Sequence, residues 1–279
     1  MDLGNVCIAD AEPMRNLFTE CLTALQTPEV DRKINLVRAL DRDWGRGLFS
    51  NTERVSPIRV ICPGRPDRPE LVHHRDLKKR KLSTDLGKAI LIHAIAHIEF
   101  NAINLALDAV YRFHRMPAEY YTDWLSVALD EARHFELLVD RLKEFGFSYG
   151  DFPAHNGLWD MAVQTDSDVL LRMSLIPCVF EARGLDVTPP MINRLVDQGD
   201  SQSAEVLKII LDEEVRHVAI GQKWFRHECK KRRLDPDKTL VDLINEYLPG
   251  RRHGPFNTND RIAAGFSHAQ LEGIYALGQ

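Results

Sequence analysis

One five-residue pattern occurs twice in this chain, and both copies lie in long segments whose apolar residues recur at helical spacing. The copies are Asp130-Glu131-Ala132-Arg133-His134 and Glu213-Glu214-Val215-Arg216-His217. In each copy a glutamate precedes a histidine by three residues, so on an α-helix both side chains lie on one face. Ionisable side chains that point into a helical core are costly unless a partner or a metal ion compensates them. The pattern therefore predicts one buried polar site rather than two exposed ion pairs.

A further glutamate stands upstream of each copy at nearly the same separation. Glu99 precedes Glu131 by 32 residues, and Glu181 precedes Glu214 by 33. Two such glutamates and two Glu-x-x-His pairs, carried on four helices, form the ligand set of carboxylate-bridged dimetal sites. The sequence therefore predicts six metal ligands, which are Glu99, Glu131, His134, Glu181, Glu214 and His217.

The residues around these ligands are mostly apolar at the same-face positions, as expected for a core and not for a solvated surface. Pro177, four residues before Glu181, removes a backbone donor and is expected to distort the helix there. Glu213 is an alternative to Glu214, because it lies four residues before His217. Alignment of the two copies favours Glu214, and it leaves Glu213 and Asp130 as residues that orient the histidines from outside.

Several other polar residues have an ordinary structural interpretation that is favoured over a functional one. Packing or capping roles are expected for His93, His97, His155 and Cys178, and packing roles for Tyr111 and Tyr120. The basic clusters Lys78–Lys81 and Lys230–Arg233 border helix ends, where solvated cations are usual. These clusters could instead bind the phosphate backbone of a nucleic acid, so an RNA substrate remains the less favoured alternative.

Composition indicates an ordinary globular protein. The net charge is −5 and the pI is near 6.1, which argues against bulk nucleic-acid binding. Five scattered cysteines without a Cys-x-x-Cys pair indicate a reduced, intracellular protein. No signal peptide is evident, and the most apolar run, Ala89–Phe100, is too short and too polar to span a bilayer. We therefore expect a cytoplasmic protein with no membrane partner.

Helical periodicity and turn residues predict an all-α fold. We expect helical residues at 10–50, an extended, proline-rich connector at 51–75 with a β-like run at 58–61, and then four long helices. These run from about Ser83 to His114, Pro117 to Phe145, Asp168 to Leu185 and Ser201 to Arg233, with a short extra helix starting at Pro189. Residues 146–167, with a short helix near 158–163, are long enough to cross the whole bundle, as in a ferritin-like four-helix bundle with one long crossover. The predicted division is 1–75 for the N-terminal helical segment and connector, and 76–279 for the bundle with an irregular C-terminal arm and a final helix from Ser267.

Several motifs resemble those of a bacterial family of uncharacterised ferritin-like proteins within the di-iron carboxylate superfamily. They are His93-Ala94-Ile95-Ala96-His97-Ile98-Glu99, Asp130–Phe135, Tyr149–His155, Glu181–Pro189 and Val215–Gly221. The resemblance covers most of the chain, including the connector and the Pro255-Phe256-Asn257 arm. It implies an antiparallel bundle whose metal ligands are the six residues named above. The chain departs from the family pattern at Asn156, where an aspartate is expected.

The predicted ligand set suits two divalent first-row metal ions, with iron favoured and manganese or zinc as alternatives. The first functional hypothesis is an oxidoreductase that activates dioxygen and oxidises or hydroxylates a small-molecule substrate. An electron donor would be its partner in this reaction. A distant architectural relative, the di-iron hydroxylase of modified tRNA, keeps an RNA substrate as a minority alternative. The other hypotheses are a ferroxidase or iron-handling protein, and a metal-stabilised interaction protein without catalysis. The sequence predicts no oligomeric state.

Overall fold

The computed structural model describes residues 14–53, 55–77, 81–250 and 254–278 of the 279-residue chain, and these are mostly helical. The predicted all-α class is therefore confirmed. One short parallel pair of strands, β1 (Arg15–Asn16) and β2 (Phe49–Ser50), joins the two ends of the N-terminal helices. The expected helical start at residues 10–13, Cys7 and most of the basic cluster Lys78–Lys81 lie outside the described residues.

The helices are α1 (Leu17–Gln26), α2 (Val30–Gly45), α3 (Asp85–Arg112), α4 (Ala118–Glu144), α5 (Gly157–Gln164), α6 (Val169–Leu175), α7 (Ala182–Asp197), α8 (Ser201–Arg232), α9 (Pro236–Tyr247), α10 (Thr258–Ala263) and α11 (His268–Ala276). Most of them follow one another with short connections; the long connections are the connector between α2 and α3 and the crossover between α4 and α6. A π-helical segment, Ile176–Glu181, lies between α6 and α7.

Four elements form the centre of the molecule. Helices α3 and α4 pack along each other, α7 packs on α8, and α4 also contacts α8. The N-terminal helices cover this centre, with α1 on α3 and α2 on α4, and their apolar residues share one contiguous core with the later helices. The long helices begin and end at capping residues: the Thr84 hydroxyl accepts from Gly87 N at 3.1 Å at the start of α3, and Gly146, with φ +80°, follows the end of α4.

The crossover between α4 and α6 runs beside α3. At its start, the backbone N of Gly150 donates to His93 Nε2 at 2.9 Å. At its end, Thr165 accepts from Arg172, which also contacts Asp108 in α3. From His93 to Asp108 the rise along α3 is roughly 22 Å. The crossover thus follows α3 for much of its length, and its predicted short helix is α5.

Two prolines do not interrupt α7, so the prediction that this helix ends at Leu185 and a new one starts at Pro189 is wrong. Pro189 and Pro190 lie inside the continuous helix Ala182–Asp197. Pro189 cannot donate to the carbonyl of Leu185, but Asn257 Nδ2 donates to that oxygen at 3.2 Å. A side chain from the C-terminal arm therefore replaces the missing backbone hydrogen bond.

Two more expectations need correction. Residues 58–61 form no strand within the described part of the chain; instead Ile58 N donates to the Tyr111 hydroxyl at 2.8 Å, and Ile61 O accepts from Trp159 Nε1 at 3.0 Å. The apolar run at Ala89–Phe100 is part of the longer helix α3, whose most apolar 18-residue window has a mean hydropathy of 1.5. That helix meets the length and composition of a membrane span, but 78% of the window is buried by the rest of the protein.

The C-terminal arm is more regular than expected. Besides the predicted final helix, which Ser267 caps through a capping box, it contains α10 and is preceded by α9. The arm is fixed on α7, because Arg261 forms an ion pair with Asp186 at 2.6 Å and donates to the carbonyl of Ala182 at 3.2 Å. It therefore packs on the helix that follows the π-helical segment.

A buried lysine closes the C-terminal end of α1. Lys33 of α2 is fully buried, and its Nζ donates to the carbonyls of Ala24 and Leu25 at 2.9 and 2.8 Å. It also donates to Asn104 Oδ1 in α3 at 2.7 Å. All three acceptors are neutral, and burial lowers the pKa of Lys33 to about 7 from its usual 10.5.

This lysine makes the stability of the protein depend on pH. The unfolded chain keeps the Lys33 proton up to about pH 10.5, whereas the folded protein releases it near pH 7. The unfolded state thus binds more protons in this window, so this group makes the free energy of unfolding rise with pH, by at most about 1.4 kcal/mol per pH unit. Urea unfolding between pH 6 and 10 should show wild type gaining stability relative to Lys33→Met above pH 7.

Lys208→Met, which removes an exposed lysine of α8, is the matched control and should run parallel to wild type across the range. A constant difference between wild type and Lys33→Met from pH 7 to 10 would show that burial does not lower the Lys33 pKa.

Candidate metal centre

The structure brings all six predicted ligands into one region between the central helices. Glu99 comes from α3, Glu131 and His134 from α4, Glu181 from the last position of the π-helical segment, and Glu214 and His217 from α8. Ligand atoms of Glu99, Glu131, His134 and Glu214 all lie within 4.8 Å of one another. The sequence repeat therefore corresponds to a real spatial cluster, while the identity of the ligands stays a prediction.

Glu131 occupies the middle of the cluster. Its Oε2 is 3.3 Å from His134 Nδ1, and its Oε1 is 3.0 Å from His217 Nδ1. Each imidazole has a second carboxylate nearby, because His134 Nδ1 is 3.5 Å from Glu99 Oε2 and His217 Nδ1 is 3.3 Å from Glu214 Oε1. One carboxylate thus lies between two histidine–glutamate pairs, an arrangement in which it can bridge two cations.

The cluster is closed to solvent on most sides. The side chains of both histidines are fully buried and that of Glu131 is 1% exposed, whereas Glu214 is 13% exposed and Glu181 is half-buried. Oε2 of Glu181 is buried and accepts no hydrogen bond from any described residue. A buried carboxylate oxygen without a donor is costly, and a bound cation is one way to compensate it.

The ionisation of the cluster without metal is strongly perturbed. Burial raises the pKa of Glu99, Glu181 and Glu214, and repulsion from neighbouring carboxylates adds to this. Burial would also raise the pKa of Glu131, but attraction to His217 and hydrogen bonds from both histidines bring it well below its usual range. Burial disfavours the charged form of His134, yet its carboxylate neighbours raise its pKa to about 11. Protons thus balance negative charge in the metal-free cluster.

The other nitrogen of each histidine is held by an acid from the opposite copy of the motif. His134 Nε2 lies 2.8 Å from Glu213 Oε2, and His217 Nε2 lies 3.2 Å from Asp130 Oδ2. These bonds fix both rings with Nδ1 toward the cluster, as acids outside a metal site commonly do. The two residues that the sequence left as orienting groups are placed for that role, and Glu214, not Glu213, faces the other carboxylates.

The two arginines of the motif complete this outer layer, and the sequence analysis assigned them no role. Arg133 forms an ion pair with Glu213, and Arg216 forms one with Asp130. Each arginine therefore holds the acid that orients the histidine of its own copy. Their occurrence at the same position in both copies was the feature from which this role could have been predicted.

Glu181 reaches the cluster because the chain locally widens into a π-helix and approaches α8 closely. Pro177 in this segment cannot donate to the carbonyl of Met173, and Cys178 Sγ donates to that oxygen at 3.1 Å instead. Pro177 packs against Gly221 of α8, where a Cβ atom would lie only 2.1 Å from Pro177 Cβ. The predicted distortion at Pro177 is therefore present, and Gly221 provides the space for it.

The remaining histidines of α3 and the crossover have structural contacts. His97 is hydrogen-bonded to the Tyr149 hydroxyl at 2.9 Å and to Asn101 Nδ2 at 3.1 Å. His93 accepts from Gly150 N, and His155 Nδ1 accepts from Gly157 N at 3.2 Å. These contacts fit the packing and capping roles predicted for them.

Comparison with known proteins identifies the family. Residues 26–272 match a family model described as "Protein of unknown function (DUF455)". The chain belongs to this family. An uncharacterized protein of Haemophilus influenzae is 45% identical over 221 residues, which cover 77% of each chain. No solved structure matches the chain. The expected membership of an uncharacterised family is confirmed, and it brings neither a cofactor nor a reaction with it.

Gly221→Ala tests the close contact that places Glu181. The added methyl group must push the π-helical segment away from α8, and overpacking of this kind costs typically 1–3 kcal/mol. Urea unfolding should show that loss. Gly184→Ala in α7, where a Cβ meets nothing within 4 Å, should be neutral or slightly stabilising. Equal stability of both variants would show that the segment accommodates a side chain at residue 221.

The outer layer can be tested separately from the ligands. Glu213→Gln and Asp130→Asn keep side-chain size but weaken the hold on the histidines, so each should lower metal affinity about 10–100-fold. Competition with a chromophoric chelator measures this affinity. Glu136→Gln, which alters a partly exposed acid of α4 that pairs with Arg38 of α2, is the control and should bind like wild type. An unchanged affinity in both test variants would rule out the orienting role.

Proposed function

We propose that this protein is a di-iron carboxylate oxidoreductase that activates dioxygen to oxidise or hydroxylate an organic substrate. The observation that carries the proposal is the position of Glu131 between two imidazoles, each with its own second glutamate. Glu181 adds a further carboxylate, whose Oε2 atom is buried. Four carboxylates and two neutral imidazoles balance the charge of two divalent cations, and mixed oxygen and nitrogen ligands suit iron.

The residues fit two metal ions on chemical grounds as well as by charge. Glu99, Glu131 and His134 would hold one ion, and Glu131, Glu181, Glu214 and His217 the other. The unpartnered Oε2 of Glu181 is an atom that such an ion would satisfy. Bound iron would supply electrons to dioxygen and thereby the oxidising power for the reaction.

The protein's own residues would set the conditions for that chemistry. Glu213 and Asp130 would keep the imidazoles oriented, and the fully buried histidines and Glu131 would exclude water from one side of the centre. Glu181 and Glu214, the more accessible carboxylates, mark the side from which dioxygen and substrate would approach. A dry, closed site protects a strong oxidant from side reactions.

We also infer that the helical arrangement is ferritin-like. Support comes from the pairing of α3 with α4 and of α7 with α8, from the long crossover beside α3, and from the duplicated Glu and Glu-x-x-His series. The α3–α4 pair contributes three of the six proposed ligands, and α8 with the π-helical segment before α7 contributes the other three, as expected if two helical hairpins together build one site.

Metal content tests the site itself. Glu131→Ala removes the central carboxylate and His217→Ala removes one imidazole, so we expect both variants to lose stoichiometric metal. Elemental analysis after anaerobic loading with ferrous iron should give two ions per wild-type chain. His155→Ala, a change at a capping histidine in the crossover, should leave the metal content unchanged. Two ions per chain in both test variants would refute the ligand assignment.

Reactivity separates the proposed oxidoreductase from the alternatives. An oxidoreductase is expected to consume dioxygen in its ferrous form. Re-reduction of the oxidised protein should then restore the optical spectrum of the ferrous form. Accumulation of many ferric ions per chain in a large assembly on gel filtration would instead indicate iron handling. Two bound ions that never react with dioxygen would indicate a structural metal site.

A further inference from the structure

A second concave site lies far from the candidate metal centre. A cavity of about 740 Å³ is bounded by the connector, the turn between α3 and α4, the start of α6 and the end of α8. Along α8, its wall residue Glu228 is roughly 17 Å beyond His217. The volume falls in the range of small-molecule sites. The proposed oxidoreductase chemistry makes no use of this cavity.

The walls of this cavity carry more positive than negative charge, although the whole chain is acidic. Five cations line it or lie directly behind its wall: Arg112, Arg115, Arg172, Lys231 and Arg232. Three carboxylates accompany them: Asp108, Asp168 and Glu228. The local excess is therefore two positive charges, on a chain whose net charge is −5.

Part of the excess positive charge belongs to a buried group of side chains. Asp108 is shared by two arginines, Arg112 at 2.6 Å and Arg172 at 2.7 Å, and all three side chains are almost fully buried. The other acceptors of Arg172 are the neutral oxygens of Thr165 and Ala162. One arginine charge in this group is thus without a matching carboxylate, and Arg112 brings the group to the cavity wall.

The rest of the excess positive charge lies on the exposed part of the cavity wall, which we call the mouth. Arg115 lies in the turn between α3 and α4, and within the described residues its side chain forms no ion pair. Lys231 and Arg232 are paired with Glu228 and Asp168, whose own charges they balance. Arg115 is therefore the cation with its charge available to a ligand, and Lys231, 57% exposed, stands at the same mouth.

The C-terminal ends of α3 and α8 also face this region and favour cations there. Each contributes about half a negative charge. Together they offset roughly one of the two excess positive charges, so a positive potential remains. Solvated helix-end cations explain Lys230 and Arg233, but not a concave wall with buried, uncompensated arginine charge.

The cavity wall also contains apolar residues. They are Val55 and Pro57 of the connector, Phe113 and Met116 of the α3–α4 turn, and Val169 of α6. A ligand that suits both kinds of wall residue has an anionic group at the arginine mouth and an apolar or aromatic part against these residues. Arginine suits phosphate oxygens in particular, since its planar group donates two parallel hydrogen bonds.

We propose that this cavity binds a small phosphate ester, with the phosphate at Arg115 and Lys231 and the organic part against Phe113 and Met116. Adenosine monophosphate is the probe, because it is small enough for the cavity and its base has an aromatic face. Calorimetric titration of the full-length protein should show one site per chain. Arg115→Glu and Lys231→Glu should each weaken binding at least 10-fold.

Lys143→Glu is the matched control, because Lys143 is an exposed cation at the far end of α4, roughly 40 Å from this mouth. It should bind the probe like wild type, and thermal unfolding should show that all three variants are folded. Inorganic phosphate should compete with the probe, and adenosine without phosphate should bind much more weakly.

Three results would overturn the proposal. They are no binding at millimolar probe, equal binding of adenosine and its phosphate, or unchanged affinity in both cavity variants. An RNA oligonucleotide that binds much more tightly than adenosine monophosphate would show a nucleic-acid surface instead of a small-molecule site. Its affinity would then fall with salt as steeply as several phosphate contacts require. None of these outcomes depends on the metal content of the candidate centre, so the two proposals fail separately.

Discussion

The structure depends on how the protein compensates six ionisable side chains that share one buried space. Three negative carboxylates crowded around Glu131 would repel one another without nearby positive charge, and burial makes that repulsion stronger because water cannot screen it. The two imidazoles supply part of the compensation. Helices α3, α4 and α8 and the π-helical segment each contribute side chains to this single cluster.

The outer layer explains why the motif is longer than a simple Glu-x-x-His. His134 is oriented by Glu213, which Arg133 holds, and His217 is oriented by Asp130, which Arg216 holds. Every polar residue of each copy has a partner in the other copy or in the shared cluster. This reciprocal pattern joins α4 to α8 through two buried histidines and two partly exposed arginine–acid ion pairs, and it fixes the relative register of the two helices.

Deviations from regular helix occur where the site needs them and are compensated locally. Pro177 leaves the Met173 carbonyl without its backbone donor, and Cys178 takes that place, while Gly221 allows the widened turn to approach α8. Further along, Asn257 replaces the donor that Pro189 lacks. In both cases a side chain gives the free carbonyl a donor. The chain thus stays helical past Pro177, where the sequence predicts a distortion, and past Pro189, where it predicts the start of a new helix. Sequence reasoning failed at Pro189 for this reason, since Asn257 is distant in the chain.

The sequence by itself determined the helical class, the approximate bounds of α3, α4 and α8, the short helix in the crossover and the six residues that meet in the cluster. These follow from periodicity and from the repeat, which are local properties of the chain. Only the tertiary structure decided which acid faces which histidine, that the arginines hold those acids, and that residues 58–61 are not a strand. Those outcomes depend on contacts between residues far apart in sequence, where the geometry of packing and the cost of burying an unpaired charge select one arrangement.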